Sequence, residues 1–252
     1  MEWKEDALIL GSRKHGETSV ILEVMTAEHG RHLGLVRGGR SRTMQPTLQA
    51  GNKVTVTWRA RLEDHLGVFT VDPLKLRAAQ LMESAMGLQG VQTIASLLRL
   101  LPERDPHAGL AEAAEILIEN LDSAELSAAL LVRFEMAVLE ELGFGLDLSV
   151  CAATGATQEL VYVSPKSGRA VSRRAGLPYH DKMLVLPAFL SSMAPSISVE
   201  EVTPAFELTQ FFLSRHIYEP RGIEPPISRE VFEREIIKTI KRTQGTTKPS
   251  IL

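Results

Sequence analysis

The residues best suited to chemistry in this chain are cations, and their spacing suits them to hold an anion. Between His29 and Leu62 stand seven basic residues, Arg31, Arg37, Arg40, Arg42, Lys53, Arg59 and Arg61, with no aspartate or glutamate among them. The densest stretch is Arg37-Gly38-Gly39-Arg40-Ser41-Arg42. Small residues let the backbone approach a phosphate, and a planar guanidinium forks onto two of its oxygens. These seven are the candidate contacts to a nucleic-acid backbone, with binding that is salt-sensitive and reads little base sequence. The bland reading is a solvated loop, as most charge runs are. Aromatic side chains that stack on bases are scarce, with Trp3, Trp58 and Phe69 in the same region. Trp58 and Phe69 fall in phase with core valines, so binding is expected to lean on phosphates more than on stacking.

Other constellations offer less. There is no Gly-x-x-x-x-Gly-Lys-Ser/Thr loop, no Gly-x-Ser-x-Gly elbow and no His-Glu-x-x-His. The acidic pairs Glu140-Glu141 and Glu200-Glu201 are sequence neighbours, which point about 100° apart on a helix and share no site. The expectation is a protein that works without catalysing a reaction and without a cofactor. Cys151-Ala152-Ala153-Thr154-Gly155 has the form of a zinc knuckle lacking one ligand. Zinc takes four ligands, and this chain has one cysteine, so a buried free thiol in a metal-free hairpin is expected. His29 and His32 have ligand spacing but no further ligands around them, and no metal is expected there either. Arg133 differs from the other cations. It lies beside Leu130 and Phe134 in an acidic segment, and no carboxylate stands three or four residues away. It either pairs with an acid on another helix or sits at the rim of an apolar groove that takes an acidic peptide.

The elements that must position these residues follow from periodicity. Trp3–Leu10, Thr18–Met25, His32–Val36, Lys53–Ala60 and Gly67–Val71 read as short strands, with Val54, Val56 and Trp58 alternating against Thr55, Thr57 and Arg59. Five short strands suggest a small barrel, and an OB-fold is the commonest five-stranded solution that binds nucleic acid. From Asp72-Pro73 the pattern turns helical: Ala78–Leu101, Leu110–Leu121, then a helix that Ser123 can cap and Gly143 can end. On that third helix Leu130, Phe134, Val138 and Leu142 form an expected core stripe, widened by Leu131 and Leu139. Glycines and prolines break residues 151–180, with a short strand at Leu160–Val163. Helices return over Val202–Tyr218 and Ser228–Lys241. The fold class is α+β: a five-stranded OB barrel over 1–76, a helical bundle over 77–150, a zinc-finger-like but metal-free insert over 151–182, C-terminal helices over 183–245 and a mobile tail, 246–252.

Composition sets the limits. Hydrophobic residues make up 44 %, enough for a core, and no apolar run approaches the roughly 18 residues of a membrane helix. The N-terminus carries Glu2, Glu5 and Asp6 and lacks the basic-then-apolar order of a secretory signal. A cytoplasmic, nucleoid-associated protein with no membrane partner, monomeric when alone, is expected. The net charge of −3 hides an asymmetry: residues 1–80 hold 12 Lys/Arg against 9 Asp/Glu, and residues 81–150 hold 3 against 12. The local field therefore matters more to a polyanion than the average does.

The order of motifs resembles a known family. Gly16-Glu17-Thr18-Ser19, Thr26 to Gly30, Val36-Arg37-Gly38, Ser41-Arg42 and Gln45-Pro46 resemble the N-terminal domain of RecO, a bacterial recombination mediator family. Leu100-Leu101-Pro102, Arg133-Phe134-Glu135, Leu139 to Phe144, Phe211 to Leu213, His216 and Pro220-Arg221-Gly222 resemble its later parts. The resemblance implies binding of single- and double-stranded DNA, annealing of complementary strands, and help in loading RecA. It also implies partnership with RecR and with the acidic tail of single-stranded-DNA-binding protein. Where the family has a four-cysteine zinc site, this chain keeps Cys151. Thr154 stands in the second position, and the later pair, near Val171–Arg174, is absent. An RNA-binding OB accessory protein is the alternative reading, since phosphate contacts read the sugar poorly.

Overall fold

In a computed structural model the described residues are 1–191 and 197–246, so all but the first residue of the expected tail lies outside them. The chain divides into two compact units, Met1–Glu119 and Asn120–Leu252. The division falls between α3 and α4, inside the stretch 77–150 expected as one helical domain.

The first unit is built on strands β1 (Glu2–His15), β2 (Ser19–Thr26), β3 (Arg31–Val36), β4 (Lys53–Arg59) and β5 (Val68–Lys75). They close in the order β1-β2-β3-β5-β4. This is an OB barrel, closed by the one parallel pairing of β3 with β5, at Leu35 and Val68. Strand β1 runs past the expected Leu10 because it changes partner. Residues 2–8 pair with β4, and residues 7–15 pair with β2 across an irregularity between Ile9 and Gly11. The expected alternation along β4 holds: Val54, Val56 and Trp58 are buried, with Ala7, Ile9, Leu22, Val24, Val36 and Phe69 around them. Gly34 belongs to this core, because a Cβ there would stand 2.4 Å from the Phe69 ring.

The expected Ala78–Leu101 helix is broken into α1 (Ala78–Leu81) and α2 (Ala85–Leu98). Ser84 makes the break, accepting the Gly87 N–H and capping a fresh start. Helix α3 (Ala108–Glu119) follows. Ion pairs tie this helical layer to the barrel: Arg77 with Glu115 at 2.7 Å, Lys75 with Glu119 at 2.7 Å and Arg99 with Glu23 at 2.8 Å.

The second unit begins with α4 (Ala124–Glu141), which ends where Gly143 takes a left-handed φ of 86°. Ser123 stands at its N-cap position without the expected side-chain bond. Strands β6 (Leu160–Val163), β7 (Ala170–Ser172) and β8 (Leu184–Val185) form a small sheet in the order β7-β6-β8. Short helices α5 (Arg173–Gly176) and α6 (Ala188–Ser191) lead to α7 (Val199–Leu213), which starts at a Ser198/Glu201 capping box. A π-turn over Ser214–Tyr218, α8 (Glu219–Arg221) and α9 (Ile227–Thr246) complete the described residues.

One expectation needs correcting. The fully buried face of α4 is centred on Leu131, Val132, Glu135, Val138 and Leu139, while Leu130 and Leu142 are only half-buried. Leu131, Phe134, Val138 and Leu139 of the expected stripe are buried, and helices α7 and α9 both pack on α4. A glutamate can lie at the centre of the buried face because α9 delivers an arginine to it: Arg229 Nε donates to the Glu135 carboxylate at 2.6 Å and Nη2 at 3.0 Å.

Candidate nucleic-acid interface

The connection from β3 to β4 carries Arg37, Arg40 and Arg42, all exposed. Two bonds lay it against the β1–β2 turn: the Arg40 N–H donates to the Thr18 carbonyl at 3.0 Å, and its Nη1 donates to the Gly16 carbonyl at 2.9 Å. That turn brings two exposed cations the sequence reading missed, Arg13 and Lys14. Their signal was present as a basic pair immediately before the His15-Gly16-Glu17 turn.

Strand register extends this surface. Lys14 faces Val20, and Val20 faces Val36. One residue earlier on β3, Leu35 faces Val68, which faces Arg59. The Leu35 N–H also bonds the Gly67 carbonyl, at 3.0 Å. Neighbouring strands lie about 4.8 Å apart, so Lys14, the start of the Arg37 connection, and Arg59 fall on one band that runs round the closed barrel, Lys14 two strands from the Arg37 connection and Arg59 two strands further on. Arg61 follows Arg59, and both are exposed. Arg59 also meets Glu2 at 2.7 Å, and its guanidinium holds the Glu2 carboxyl below the usual range.

The remaining two candidates lie apart from this band. Arg31 heads β3, where Nη1 reaches Glu23 at 3.0 Å and Glu103 at 3.4 Å, and Nη2 donates to the Leu101 carbonyl at 3.3 Å. Lys53 starts β4, about 20 Å along the strand from Arg59. It lines a cavity with Glu5, Asp6, Glu112 and Glu115. Sequence spacing alone does not separate these two from the others, because their carboxylate neighbours come from other strands and from α2 and α3 or the residues beside them.

Aromatic rings gather beside the band. Trp3 stacks on His29 with centroids 4.1 Å apart and lies near-parallel to Trp58 at 5.9 Å. His32 stands edge-on to Trp3, Trp58 and Phe69. The two histidines thus join an aromatic cluster, and His29 Nδ1 is 2.8 Å from the Glu5 carboxylate. Burial, with the Arg104 charge nearby, pushes the His32 imidazole down to about 4, against the Leu33 carbonyl that would raise it.

In the second unit Cys151 is buried, and its Sγ lies 3.2 Å from the Ser172 N–H and 3.4 Å from the Ser172 hydroxyl. Burial pushes this thiol up, but the Ser172 and Thr154 hydroxyls and the Ser172 and Ala153 N–H groups pull it down further, to about 6. Hydroxyls therefore occupy the places around Cys151 where a zinc site needs thiolates or imidazoles, and this donor set does not fit the metal. Among the described residues no group of three His, Cys, Asp or Glu is placed to hold an ion.

Arg133 is half-buried. Its guanidinium carbon lies 5.1 Å from the Phe189 ring centre, and Nη2 donates to the Phe189 carbonyl at 3.2 Å. Leu130 is half-buried beside it, and Phe134 is 2 % exposed and faces the core. Arg229, which the sequence reading did not single out, is the buried partner of Glu135 and also donates to the Phe206 carbonyl at 3.2 Å.

Among the described residues no helix is long and apolar enough to cross a membrane. Residues 1–77 match the family model described as the recombination protein O N terminal, and residues 88–222 match its C terminal. A DNA repair protein RecO of Sinorhizobium medicae is 57 % identical over 249 residues, 99 % of this chain and 100 % of its own. That of Mesorhizobium japonicum is 60 % identical over 236 residues, 92 % of each chain, and that of Agrobacterium fabrum is 56 % identical over 243 residues, 96 % of each. With an OB barrel at one end, two family models between them covering most of the chain, and relatives matched end to end, the chain belongs to the RecO family of recombination and DNA repair proteins.

Proposed function

We propose that this protein is a recombination mediator that acts by binding. Its barrel holds single- and double-stranded DNA by the phosphates, anneals complementary strands, and helps load RecA on strands coated by single-stranded-DNA-binding protein. The observation that carries this reading is the placement of Arg13, Lys14, Arg37, Arg40 and Arg42 at one end of an OB barrel, with Arg59 and Arg61 on the band that continues round it. Arginine forks and small-residue backbone suit phosphate oxygens, and a row of them neutralises two strands at once, which is the physical obstacle to annealing. Arg31 and Lys53, set among carboxylates, are assigned minor roles in this. RecR and the acidic tail of single-stranded-DNA-binding protein are the proposed protein partners. Arg133 and Leu130 offer the tail a cation beside an apolar surface, and Phe134 supports them from the core. The protein needs no cofactor, works in the cytoplasm and is monomeric when alone.

Annealing of complementary oligonucleotides coated with single-stranded-DNA-binding protein tests the reading. The protein should accelerate annealing, and Arg37→Ala, Arg40→Ala and Arg42→Ala together should remove most of the acceleration for every sequence tried. Loss confined to one sequence would indicate base readout instead. Tighter binding to RNA than to DNA of the same sequence would favour an RNA-binding accessory role.

A further inference from the structure

Beside the phosphate band, the barrel opens into a cavity of about 360 Å³. Its walls include Trp3, His29, His32, Trp58, Glu63 and Arg104. We propose that this cavity receives a single nucleobase, turned in from a strand held on the phosphate band. The proposal rests on the DNA-binding reading above and adds to it a second kind of contact.

The acceptor is His32. It points into the barrel from β3 and is 3 % exposed. Its Nδ1 lies 3.0 Å from the Leu33 carbonyl, which can only accept, so Nδ1 carries the proton. Nε2 is then a bare lone pair, since among the described residues the His32 ring bonds only through Nδ1. This nitrogen is not among the fully buried orphan atoms, so it is reached from the cavity, where water or an incoming N–H can donate to it. Each nucleobase offers one on its pairing edge, and flat aromatic walls suit its faces. The imidazole stays neutral at working pH, because burial and the Arg104 charge both disfavour its protonation.

The wall opposite is held rigid. Arg104 has a left-handed φ of 62°, a strained conformation for a residue with a side chain. Its N–H donates to the Arg31 carbonyl at 2.9 Å, and its guanidinium donates to the Glu63 and His65 carbonyls, pinning the β4–β5 loop. Gly30 allows the same segment to close in, since a Cβ there would fall 1.9 Å from the Asp105 carbonyl oxygen. Such strain is kept where surrounding bonds over-determine it, and here they fix the shape of the cavity. The rim supplies a phosphate contact. Met1 and Glu2 line the cavity; the Met1 ammonium donates to the Ala60 carbonyl at 2.8 Å, and Arg59 pairs with Glu2 at 2.7 Å, which brings one cation of the band to the rim. Three carboxylates, Glu2, Glu28 and Glu63, also line the cavity, and Arg59 offsets the first of them.

The chain has two tryptophans, Trp3 and Trp58, and both line this cavity, so their emission reports on it directly. The test uses the full-length protein with an end-labelled single-stranded oligonucleotide and the same strand carrying abasic residues. Label anisotropy reads binding, and tryptophan emission reads the cavity. The intact strand should quench the emission, and the abasic strand should bind about tenfold more weakly, within the range for losing a base–aromatic stack, and leave it unquenched. His32→Phe, which keeps a ring but no acceptor, should bring the intact strand close to the abasic one. Equal binding of both strands with unchanged emission would overturn the base pocket while leaving phosphate binding in place. Absence of any anisotropy change would remove the DNA reading and the pocket with it. If His32→Phe fails to fold, the comparison of the two strands decides alone, because it uses the unaltered protein.

Discussion

His32 is a buried imidazole whose charged form the fold refuses, and this makes stability depend on pH in a defined window. Its pKa falls from 6.5 to about 4 on folding, so between these values the unfolded chain binds a proton that the folded one does not. The stabilisation is complete above about pH 6.5 and is lost as pH falls toward 4, amounting to about 3 kcal/mol at 1.36 kcal/mol per unit. Urea unfolding of wild type and His32→Phe at pH 7 and pH 4.5 should show the wild type losing more stability on acidification; parallel losses would mean His32 is not neutral in the folded state. Arg133 poses a different question. Its bonds to the Phe189 carbonyl and ring make it both an anchor for that segment and a candidate for an acidic tail. Arg133→Ala should weaken binding of an acidic tail peptide by about 1–3 kcal/mol, the range for losing a charged hydrogen bond. Binding to naked DNA should stay the same if the barrel carries it, as proposed. A large fall in melting temperature would instead assign Arg133 to holding Phe189.

At the scale of elements, α4, α7 and α9 are joined through one buried ion pair. Glu135 on α4 accepts from Arg229 on α9 and from Thr209 on α7. Glu135 is fully buried and the Arg229 side chain is 4 % exposed, so removing either partner strands a charge away from water. Arg229→Ala should therefore cost about 3–5 kcal/mol, read as a shift of the urea midpoint, whereas Glu135→Leu with Arg229→Met together should cost much less. Equal losses in the single and double variants would show that the helices depend on packing and not on the pair. The small sheet of β6, β7 and β8 makes the opposite point. Its Cys151 is held by hydroxyls and N–H groups where a metal would need thiolates, so chelators should leave the melting temperature unchanged. Metal analysis giving about one zinc per chain would contradict that.

At the scale of the molecule, the proposed phosphate contacts make DNA affinity depend on salt. The chain is net negative, yet residues 1–80, which include the barrel, hold 12 Lys/Arg against 9 Asp/Glu. With four to six phosphate contacts, the log–log salt slope on single strands should be about −3 to −4, from roughly −0.7 per contact. A slope near zero in a titration from low to high salt would rule out a phosphate clamp.

The sequence by itself determined the barrel and most of the helices. Alternation along Val54–Trp58 and the turn residues between strands are local signals, and a closed five-stranded sheet is among the few ways to satisfy them. It determined that Cys151 stands alone, and it marked Arg37, Arg40 and Arg42 as a group, because they are neighbours in the chain. Tertiary structure decided what depends on neighbours distant in sequence. It set Arg59 and Arg61 on the same band as Arg37 through the pairing of Leu35, Val68 and Arg59, and it set Arg31 and Lys53 among carboxylates. It turned the buried face of α4 toward Glu135, since the periodicity of one helix does not say which sides its neighbours will cover. It also gathered Trp3, the His29–His32 segment and Trp58 around one cavity, from three places far apart in the chain. A ring's burial phase is visible in one strand, but a pocket is made by the closure of all five.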